Sequence, residues 1–411
     1  MQKKIISAGI DIGSSKVAVC VGTQSEDGVD ILGISKAENS GSRKGVVIDI
    51  EETVSAISSA LEEAEKMIGL QIENAVVGVS GAHIESEISH GVIAIGKSDG
   101  EISENDMLRA IDASKAIPNQ PNREILHVIP KTFIVDGQNG IINPVGMSGI
   151  RLEVDTNIIS GSISAIKNVV MSANQSGIGI DELVFSPLAT SKFLLGKQQK
   201  EIGSAIVDIG AGTTSFAVFE EGDLVHCGVI PIGSSHITND IAIGLRTNIN
   251  LAEILKIKYG YASPDNIDEK EEIDLKKIDS NESGQVSVKY ITEIIEARLN
   301  ELFILVKDEL GSVNREGMLP AGISLTGGGS KLAGISQLAK DIFRLPVEIG
   351  KSDLKLVGVV DNLSDPVYAT SAGLMLWGLN SVNHSKNRII DSTQLTSIFD
   401  KVRKSFRHFL P

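Results

Sequence analysis

The chain has 411 residues, of which 42% are hydrophobic and 4% aromatic, and its formal net charge is −15. This length allows two or more domains with mainly aliphatic cores. The negative charge argues against general nucleic-acid binding, because affinity for a phosphate backbone comes from clustered Lys and Arg. The two cysteines lie in apolar runs and predict no disulfide framework, and the seven histidines show no ligand spacing, so no structural metal is expected. No apolar stretch reaches the roughly 18 residues of a membrane span.

The first predicted strand ends in an acidic turn that contains glycine. Asp11 ends an apolar run that begins at residue 5, and a second apolar run occupies residues 17–21. Glycine lets backbone N–H groups close on an anion, hydroxyls and a lysine add donors, and an aspartate can hold a hydrated cation. We predict a hairpin that binds phosphate and magnesium; an ordinary β-turn is the alternative. The predicted phosphate contacts are Gly13, Ser14, Ser15 and Lys16.

The next segment predicts a small sheet followed by an insertion. Residues 29–34 and 75–79 predict buried strands, and residues 52–68 between them predict an amphipathic helix. From residue 81 to residue 161 the pattern changes to a separate small sheet with a helix capped by Ser103. We interpret residues 81–161 as an inserted α+β subdomain that serves interaction; a purely structural role is the alternative.

The acidic turn recurs about 200 residues later. Before it, residues 162–176 predict a helix, and Ser186 with Pro187 predicts the cap and first position of another. Asp208 then ends an apolar run, and residues 216–219 form the next. Two such turns predict a duplicated fold in which each half presents one hairpin to a shared cleft. The phosphate contacts predicted in this turn are Gly210, Ala211, Gly212, Thr213 and Thr214.

Two helices after the second hairpin add candidate contacts. The turn before a helix at residues 236–245 makes Gly233 a candidate phosphate contact at a helix N-terminus; an ordinary strand-to-helix loop is the alternative. A helix over residues 251–259 puts Glu253 and Lys256 on one face at i,i+3 spacing, for which a surface ion pair is the simplest account.

A glycine-rich loop follows the last predicted strand of the second half. The strand covers residues 322–326, after a long helix within residues 286–310, and a helix through residue 343 follows the loop. Three successive glycines let the backbone lie flat against a purine or its ribose at the carboxyl end of a strand. The contacts predicted in this loop are Gly327, Gly328, Gly329, Ser330 and Lys331.

The C-terminal residues have the pattern of an interfacial helix. Within residues 395–411 the apolar side chains form one stripe and basic side chains occupy the rest. This pattern predicts an anchor on anionic lipid, with residues 380–394 as a polar tether; a helix docked on the protein body is the alternative. The predicted membrane contacts are Leu395, Ile398, Phe399, Val402, Lys404, Phe406, Arg407, Phe409 and Leu410.

With two acidic hairpins and a glycine loop in this order, residues 5–380 resemble the actin, sugar-kinase and heat-shock-chaperone superfamily. Within it the chain is most similar to the FtsA family of bacterial cell-division proteins, on the segments 45–51, 151–154, 240–242 with 252–256, and 368–374. The resemblance implies an actin-like two-lobed α/β fold with duplicated mixed β-sheets flanked by helices, plus an inserted α+β subdomain and a C-terminal amphipathic helix.

The resemblance also implies domain boundaries and ligands. ATP would bind with Mg2+, and Asp11 and Asp208 would contact the Mg2+ ion through water. Glu253 and Lys256 would face the adenosine. The implied divisions are a first-lobe core at 1–80, 162–200 and 364–379, the insert at 81–161, a second-lobe core at 201–245 and 311–363, an outer subdomain at 246–310, a linker at 380–394 and a membrane helix at 395–411.

The function implied is a scaffold of cell division. It would polymerise at the inner face of the cytoplasmic membrane at the septum and anchor the ring of the tubulin-like protein FtsZ through its C-terminal amphipathic helix. Arg298 and Glu301 would be the candidate contacts to FtsZ, and the insert would recruit later division proteins. ATP turnover would be at most slow. Two alternatives stay open: a small-molecule kinase, although the first half offers no clear general base, and a non-polymerising membrane adaptor.

Overall fold

The computed structural model of the chain describes residues 5–26, 28–96, 99–116, 122–265, 267–280, 282–359 and 361–386, in two lobes and one inserted subdomain. The first lobe begins with a meander whose strands are continuous buried runs, as expected for a sheet covered on both faces. Its first elements are β1 (Ile6–Ile12), β2 (Lys16–Ser25), β3 (Gly28–Glu38), β4 (Ser42–Arg43), β5 (Val46–Val47), α1 (Ile50–Ile68) and β6 (Asn74–Val79).

The inserted subdomain leaves the first lobe after β6 and returns to it after a long strand. Its helix carries the predicted capping box, in which Ser103 and Asp106 satisfy each other's backbone N–H groups. Its four-stranded sheet has the order β7-β10-β8-β9, and the helix packs against β7 and β10. The elements are β7 (Glu85–Ala94), α2 (Glu104–Ser114), β8 (Arg123–Val135), β9 (Gln138–Ile141) and β10 (Arg151–Ser162).

The chain then completes the first lobe and crosses into the second. The sequence predicted Ser186 as the cap of the next helix, and this prediction was wrong. Ser186 is instead the first helical residue, and its side chain makes no capping bond. The elements are α3 (Ile163–Gln175), β11 (Gly179–Phe185), α4 (Ser186–Leu194), α5 (Lys197–Ile202), β12 (Ser204–Ile209), β13 (Thr214–Glu220), β14 (Asp223–Ile230), α6 (Ser234–Leu245) and α7 (Ile249–Tyr259).

The remaining elements differ from the predictions at two boundaries. The glycine loop forms a 3-10 turn, Gly328–Lys331, and the helix that follows begins only at Ile335. The last helix continues to Lys386, so the first residues of the predicted linker are helical. The elements are β15 (Glu272–Asp274), β16 (Gln285–Ser287), α8 (Val288–Ser312), β17 (Ile323–Thr326), α9 (Ile335–Phe343), β18 (Val347–Ile349), β19 (Leu356–Gly358) and α10 (Ala369–Lys386).

The two lobes repeat one strand arrangement. In the first lobe, β1 pairs antiparallel with β2 and parallel with β6; in the second, β12 pairs antiparallel with β13 and parallel with β17. The full orders are β11-β6-β1-β2-β3-β19 and β14-β13-β12-β17-β18. The predicted duplication of mixed sheets is therefore confirmed, and each lobe brings one acidic hairpin to the cleft.

Buried polar contacts attach the inserted subdomain to both lobes. His127 of β8 accepts a hydrogen bond at Nε2 from the Phe185 N–H, 2.9 Å away, and burial lowers the pKa of this histidine to about 4. Asn157 of β10 donates through Nδ2 to the Leu224 carbonyl of the second lobe at 2.6 Å. The insert is thus tied to the first lobe and to the second.

Cys20 and Cys227 are both buried and free, as the sequence predicted. Among the described residues, no helix has the length and apolar character needed to span a membrane. The predicted amphipathic helix at 395–411 lies outside the described residues.

Candidate functional site

The two acidic hairpins have the same turn. In the first, the Gly13 N–H donates to the Lys16 carbonyl at 2.9 Å; in the second, the Gly210 N–H donates to the Thr213 carbonyl, also at 2.9 Å. Each turn directly follows the strand that ends in Asp and Ile. The matching bonds give both turns one backbone shape and place Asp11 and Asp208 at equivalent positions.

The turns approach each other across the cleft. A Cβ on Gly212 would lie 2.7 Å from Ser14 Oγ and 2.9 Å from the Lys44 amide nitrogen, so only glycine fits there without a shift. Ser14 Oγ in turn accepts a hydrogen bond of 2.8 Å from the Gly45 N–H. The two lobes therefore meet at their hairpins.

Two carboxylates and one ammonium group face this cleft. Burial, followed by the charge of Asp208, raises the pKa of Asp11 to about 7, and Lys16 opposes this rise. Burial also raises the pKa of Asp208, opposed by a hydrogen bond from Thr370 and by Lys16. Burial lowers the pKa of Lys16, while both aspartates raise it. This arrangement favours a ligand that brings a cation to the carboxylates and anionic groups to the turns and lysine.

The glycine loop closes over the second carboxylate. Gly327 has a φ of 81° and approaches Asp208 so closely that a Cβ would lie 2.2 Å from Oδ1. Gly328 lies opposite Lys16, whose Nζ would be 3.1 Å from a Cβ at that position. Both glycines, with both hairpin turns, line one cleft.

Sequence comparison identifies relatives over nearly the full length. A family model described as Cell division protein FtsA matches residues 205–373, and one described as SHS2 domain inserted in FTSA matches residues 81–160. Cell division protein FtsA of Pseudomonas aeruginosa is 37% identical over 390 residues, covering 95% of this chain and 93% of that protein. The chain belongs to the FtsA family. Cell division protein FtsA of Bacillus subtilis is 36% identical, covering 91% of this chain and 84% of the relative.

Solved structures place this FtsA-family chain in the actin-like fold. A structure titled PilM-PilN type IV pilus biogenesis complex aligns with a TM-score of 0.68 at 16% identity, covering 92% of this chain and 99% of the other. MreB5 of Spiroplasma citri bound to ADP aligns with a TM-score of 0.56 at 16% identity, covering 93% and 99%. The predicted two-lobed actin-like fold with an inserted subdomain is confirmed.

Most of the predicted contacts lie together in the cleft of this FtsA-family chain. The sequence-predicted residues that line it are Asp11, Gly13, Ser14, Ser15, Lys16, Asp208, Gly210, Ala211, Gly212, Thr213, Gly327 and Gly328. The predicted residues outside its lining are Thr214, Gly233, Glu253, Lys256, Gly329, Ser330 and Lys331.

The helix N-terminus after Gly233 packs against the second hairpin. The Ser234 N–H donates to the Gly210 carbonyl at 2.8 Å, and the Ser235 N–H donates to the Ala211 carbonyl at 2.9 Å. Thr214 is buried and donates to the Ile232 carbonyl. These amide groups support the turn, and the phosphate contacts at Thr214 and Gly233 stay predictions.

Glu253 and Lys256 form the ion pair that their spacing predicts, but the lysine is buried. Lys256 Nζ lies 2.7 Å from Glu253 Oε2 and 2.8 Å from Thr238 Oγ1, and the lysine is 8% exposed. Thr238 also donates to Glu253. Together with Thr238, the pair joins α7 to α6; the lysine is buried, whereas the Glu253 side chain is 43% exposed.

The end of the glycine loop has structural contacts of its own. Ser330 Oγ donates to the Gly327 carbonyl at 2.8 Å, and Gly329 packs against Ile209. Lys331 Nζ pairs with Asp365 Oδ2 at 2.9 Å. The loop is thereby fixed on the hairpin and against the segment that precedes α10.

Several cleft residues escaped the sequence analysis. Ser80 and Ser186 each follow the last residue of a parallel strand, a position where ligand contacts concentrate in α/β sheets. Both hydroxyls are buried without a hydrogen-bond partner among the described residues. Their position after a predicted strand was the one feature of the sequence that could have indicated these two serines as cleft residues. The lining residues that the sequence missed are Ile12, Gly45, Ser80, Ser186, Ser215, Ser234, Pro366, Val367 and Thr370.

Arg298 and Glu301 lie on α8, away from the cleft lining. Arg298 donates to Asp240 through Nε at 2.6 Å and through Nη2 at 2.9 Å, and it also contacts Glu301. Its guanidinium is therefore held by two carboxylates of the second lobe, which fixes the position of the two predicted partner-contact residues.

Proposed function

We propose that this FtsA-family protein binds ATP with Mg2+ in the cleft and uses nucleotide occupancy to set the relation of its lobes. The observation that supports this most directly is the pair of hairpins with one turn geometry, which face each other across two carboxylates and Lys16. The turns offer backbone and hydroxyl donors for phosphate, and Lys16 offsets phosphate charge.

The side chains at the base of the cleft fit a hydrated Mg2+ ion. Asp11 and Asp208 supply carboxylate oxygens, and Ser80 and Ser186 supply two buried hydroxyls without partners among the described residues. The described residues contain no cluster of three or more His, Cys, Asp or Glu able to hold a metal. Because Mg2+ keeps several waters and binds few carboxylates, Asp11 and Asp208 would hold it largely through water.

The same residues favour slow turnover. Among the residues that line the cleft, the only carboxylates are Asp11 and Asp208, both assigned to the cation, and none is Glu or His. A water nucleophile would therefore lack a separate general base. When bound, Mg2+ would neutralise phosphate charge, while Lys16 and the two turns orient the phosphates. We expect ATP to act mainly by bridging the lobes, and so by shifting their equilibrium.

We further propose that the protein forms filaments on the inner face of the cytoplasmic membrane at the septum, anchors FtsZ there and recruits later division proteins. Membership of a cell-division family supports the setting. The basic amphipathic pattern of residues 395–411 supports a peripheral lipid anchor. Arg298 and Glu301 are the proposed FtsZ contacts, and the subdomain at 81–161 is the proposed site for later partners.

Fluorescent ATP binding tests the cleft. Asp208→Ala should weaken binding of the Mg2+ complex by roughly 10- to 100-fold, the range of a lost charge-assisted contact, because the cation loses one of two carboxylates. The exposed Glu62→Ala variant is the control and should bind like the wild type. Unchanged affinity of a folded Asp208→Ala protein would contradict the assignment of this site.

Lipid experiments test the remaining proposals. Deletion of residues 395–411 should abolish co-sedimentation with anionic liposomes, and unchanged binding would exclude this segment as the anchor. Electron microscopy on lipid monolayers, with and without ATP, should reveal filaments that depend on ATP. Membrane-bound protein without filaments would favour the non-polymerising adaptor instead.

A further inference from the structure

Two threonine hydroxyls connect Asp208 to the helix that leads into the second lobe. Thr370, at the start of α10, donates through Oγ1 to Asp208 Oδ2 at 3.0 Å. The hydroxyls of Thr370 and Thr190 lie 2.9 Å apart, and Thr190 Oγ1 lies 2.9 Å from the Ser186 carbonyl of its own helix, α4. Both threonines are buried. The row of contacts therefore runs from the cleft carboxylate to the backbone of α4.

The number of protons limits how this row can be bonded. When Asp208 is ionised, the only protons available are those of the two threonine hydroxyls. Two protons then serve three contacts, and one contact lacks a proton in any arrangement. In the first arrangement, Thr370 donates to Asp208 and Thr190 donates to the Ser186 carbonyl, so the contact between the two hydroxyls lacks a proton. In the second, Thr370 donates to Thr190 and Thr190 donates to the Ser186 carbonyl, which leaves Asp208 without this donor.

We propose that Thr370 and Thr190 form a hydroxyl switch that exchanges the hydrogen bond on Asp208 for a hydrated cation, an inference that rests on the proposed Mg·ATP function. A hydrated cation held by Asp208 would favour the second arrangement, because it would occupy Oδ2, the oxygen that otherwise accepts from Thr370. Rotation of the Thr370 hydroxyl from Asp208 to Thr190 accomplishes the exchange. Thr370 and Thr190 are positioning residues, since they act on the cation through Asp208.

The location of the switch couples the cation to the lobes. α10 packs against β1 of the first lobe, whereas Asp208 belongs to β12 of the second, so the Thr370–Asp208 bond joins the lobes. The two threonine-bearing helices are in backbone contact, because a Cβ on Gly373 of α10 would lie 2.1 Å from the Ala189 carbonyl of α4. Rotation of the Thr370 hydroxyl thus exchanges a bond between the lobes for a bond between α10 and α4.

Asp11 has no comparable relay. No hydroxyl of the described residues bonds its carboxylate. The group that favours its charged form is Lys16, a positive charge in the same turn. The switch is therefore specific to the second hairpin, and variants of the two threonines leave the first hairpin intact.

Two variants should change cation binding in opposite directions. Thr370→Val removes the donor that competes for Asp208, so Mg2+ should strengthen nucleotide binding more than in the wild type. Thr190→Val leaves Thr370 able to bond Asp208 but removes the acceptor that receives its proton, so Mg2+ should strengthen binding less. Each shift should be roughly three- to tenfold, the range of one hydrogen bond. Thr370→Ser and Thr190→Ser keep the hydroxyls and serve as controls.

The measurement is the affinity for a fluorescent ATP analogue at pH 8, with Mg2+ and with EDTA, for the full-length protein and each variant. The ratio of the two affinities reports the cation contribution, and a thermal melt confirms folding. Thr190→Ala replaces Thr190→Val if the valine variant does not fold. Shifts of both variants in one direction, or no shift in either, would overturn the switch. A wild-type protein that binds nucleotide without any effect of Mg2+, or not at all, would instead contradict the proposed function.

Discussion

The two hairpins share a backbone turn but balance their carboxylates differently. Each has a Gly N–H that donates to the carbonyl three residues on, at 2.9 Å in both. Asp11 lies near Lys16, a positive charge supplied by the same turn. Asp208 has no lysine at the equivalent position, where Thr213 stands, and receives a hydroxyl bond from Thr370 of the other lobe. Duplicated geometry therefore carries two different electrostatic roles.

This difference suggests a division of labour in the cleft. The first hairpin brings its own fixed cation and can stabilise phosphate charge whatever the position of the lobes. The second hairpin depends on the opposite lobe for the hydroxyl that donates to its carboxylate. The tip of its turn is Gly212, and the absence of a side chain there lets Ser14 and Lys44 of the first lobe approach. The second hairpin is thus the one whose state depends on the relation between the lobes.

The largest expected effect concerns the charge of Asp11. Its pKa rises from 3.8 to about 7 in the folded protein, so the folded state binds more protons than the unfolded state between these values. Stability should therefore fall as pH rises through this window, and the full cost should be present at pH 8. Asp11→Asn removes the buried charge and should stabilise the metal-free protein at pH 8 by a few kcal/mol, at about 1.4 kcal/mol per pKa unit.

Urea unfolding in EDTA between pH 4 and pH 8 measures this effect. The stability of the Asp11→Asn variant should depend less on pH than that of the wild type in this range, while exposed Glu62→Gln serves as the control. An Asp11→Asn variant that is less stable than the wild type at pH 8 would show that the charged form of Asp11 does not destabilise the folded protein.

A smaller effect should distinguish the tips of the turns. Gly212→Ala places a Cβ within 3 Å of the Lys44 backbone and should cost about 1–3 kcal/mol of stability, because backbone must shift. Ser15 occupies the equivalent position of the first turn and is exposed, so Ser15→Ala should stay within about 0.5 kcal/mol. Chemical denaturation of both variants makes the comparison. Equal costs would mean that the hairpins do not meet as the structure has them.

The smallest effect is expected for the ion pair between Lys331 of the glycine loop and Asp365. Lys331 and Asp365 are linked at 2.9 Å, but the lysine side chain is 52% exposed. Lys331→Ala should therefore change stability by less than about 1 kcal/mol, and any change should shrink at high salt. Thermal melts at low and high salt check this. A large, salt-independent loss would show that this contact contributes more than its exposure implies.

Local patterns predicted the hairpins well because their information lies within a few neighbouring residues. Apolar runs that end at Asp11 and Asp208 become β1 and β12, and glycine turns join them to the next strands. The Ser103 capping box is equally local, and it was confirmed. Lys256 illustrates the limit: its spacing from Glu253 indicated the ion pair, but its burial depends on Thr238 of another helix.

The sequence by itself determined the duplicated acidic turns, the glycine loop, the inserted subdomain and the resemblance to an actin-like family. Each of these depends on short-range spacing or on a repeated motif. Only the tertiary structure assigned Ser186 to the cleft, placed the amides after Gly233 on the second turn and brought Thr370 to Asp208. Thr370 lies 162 residues from Asp208 along the chain. A single hydroxyl has no local signature, because its partner is chosen by the packing of α10 between β1 and α4.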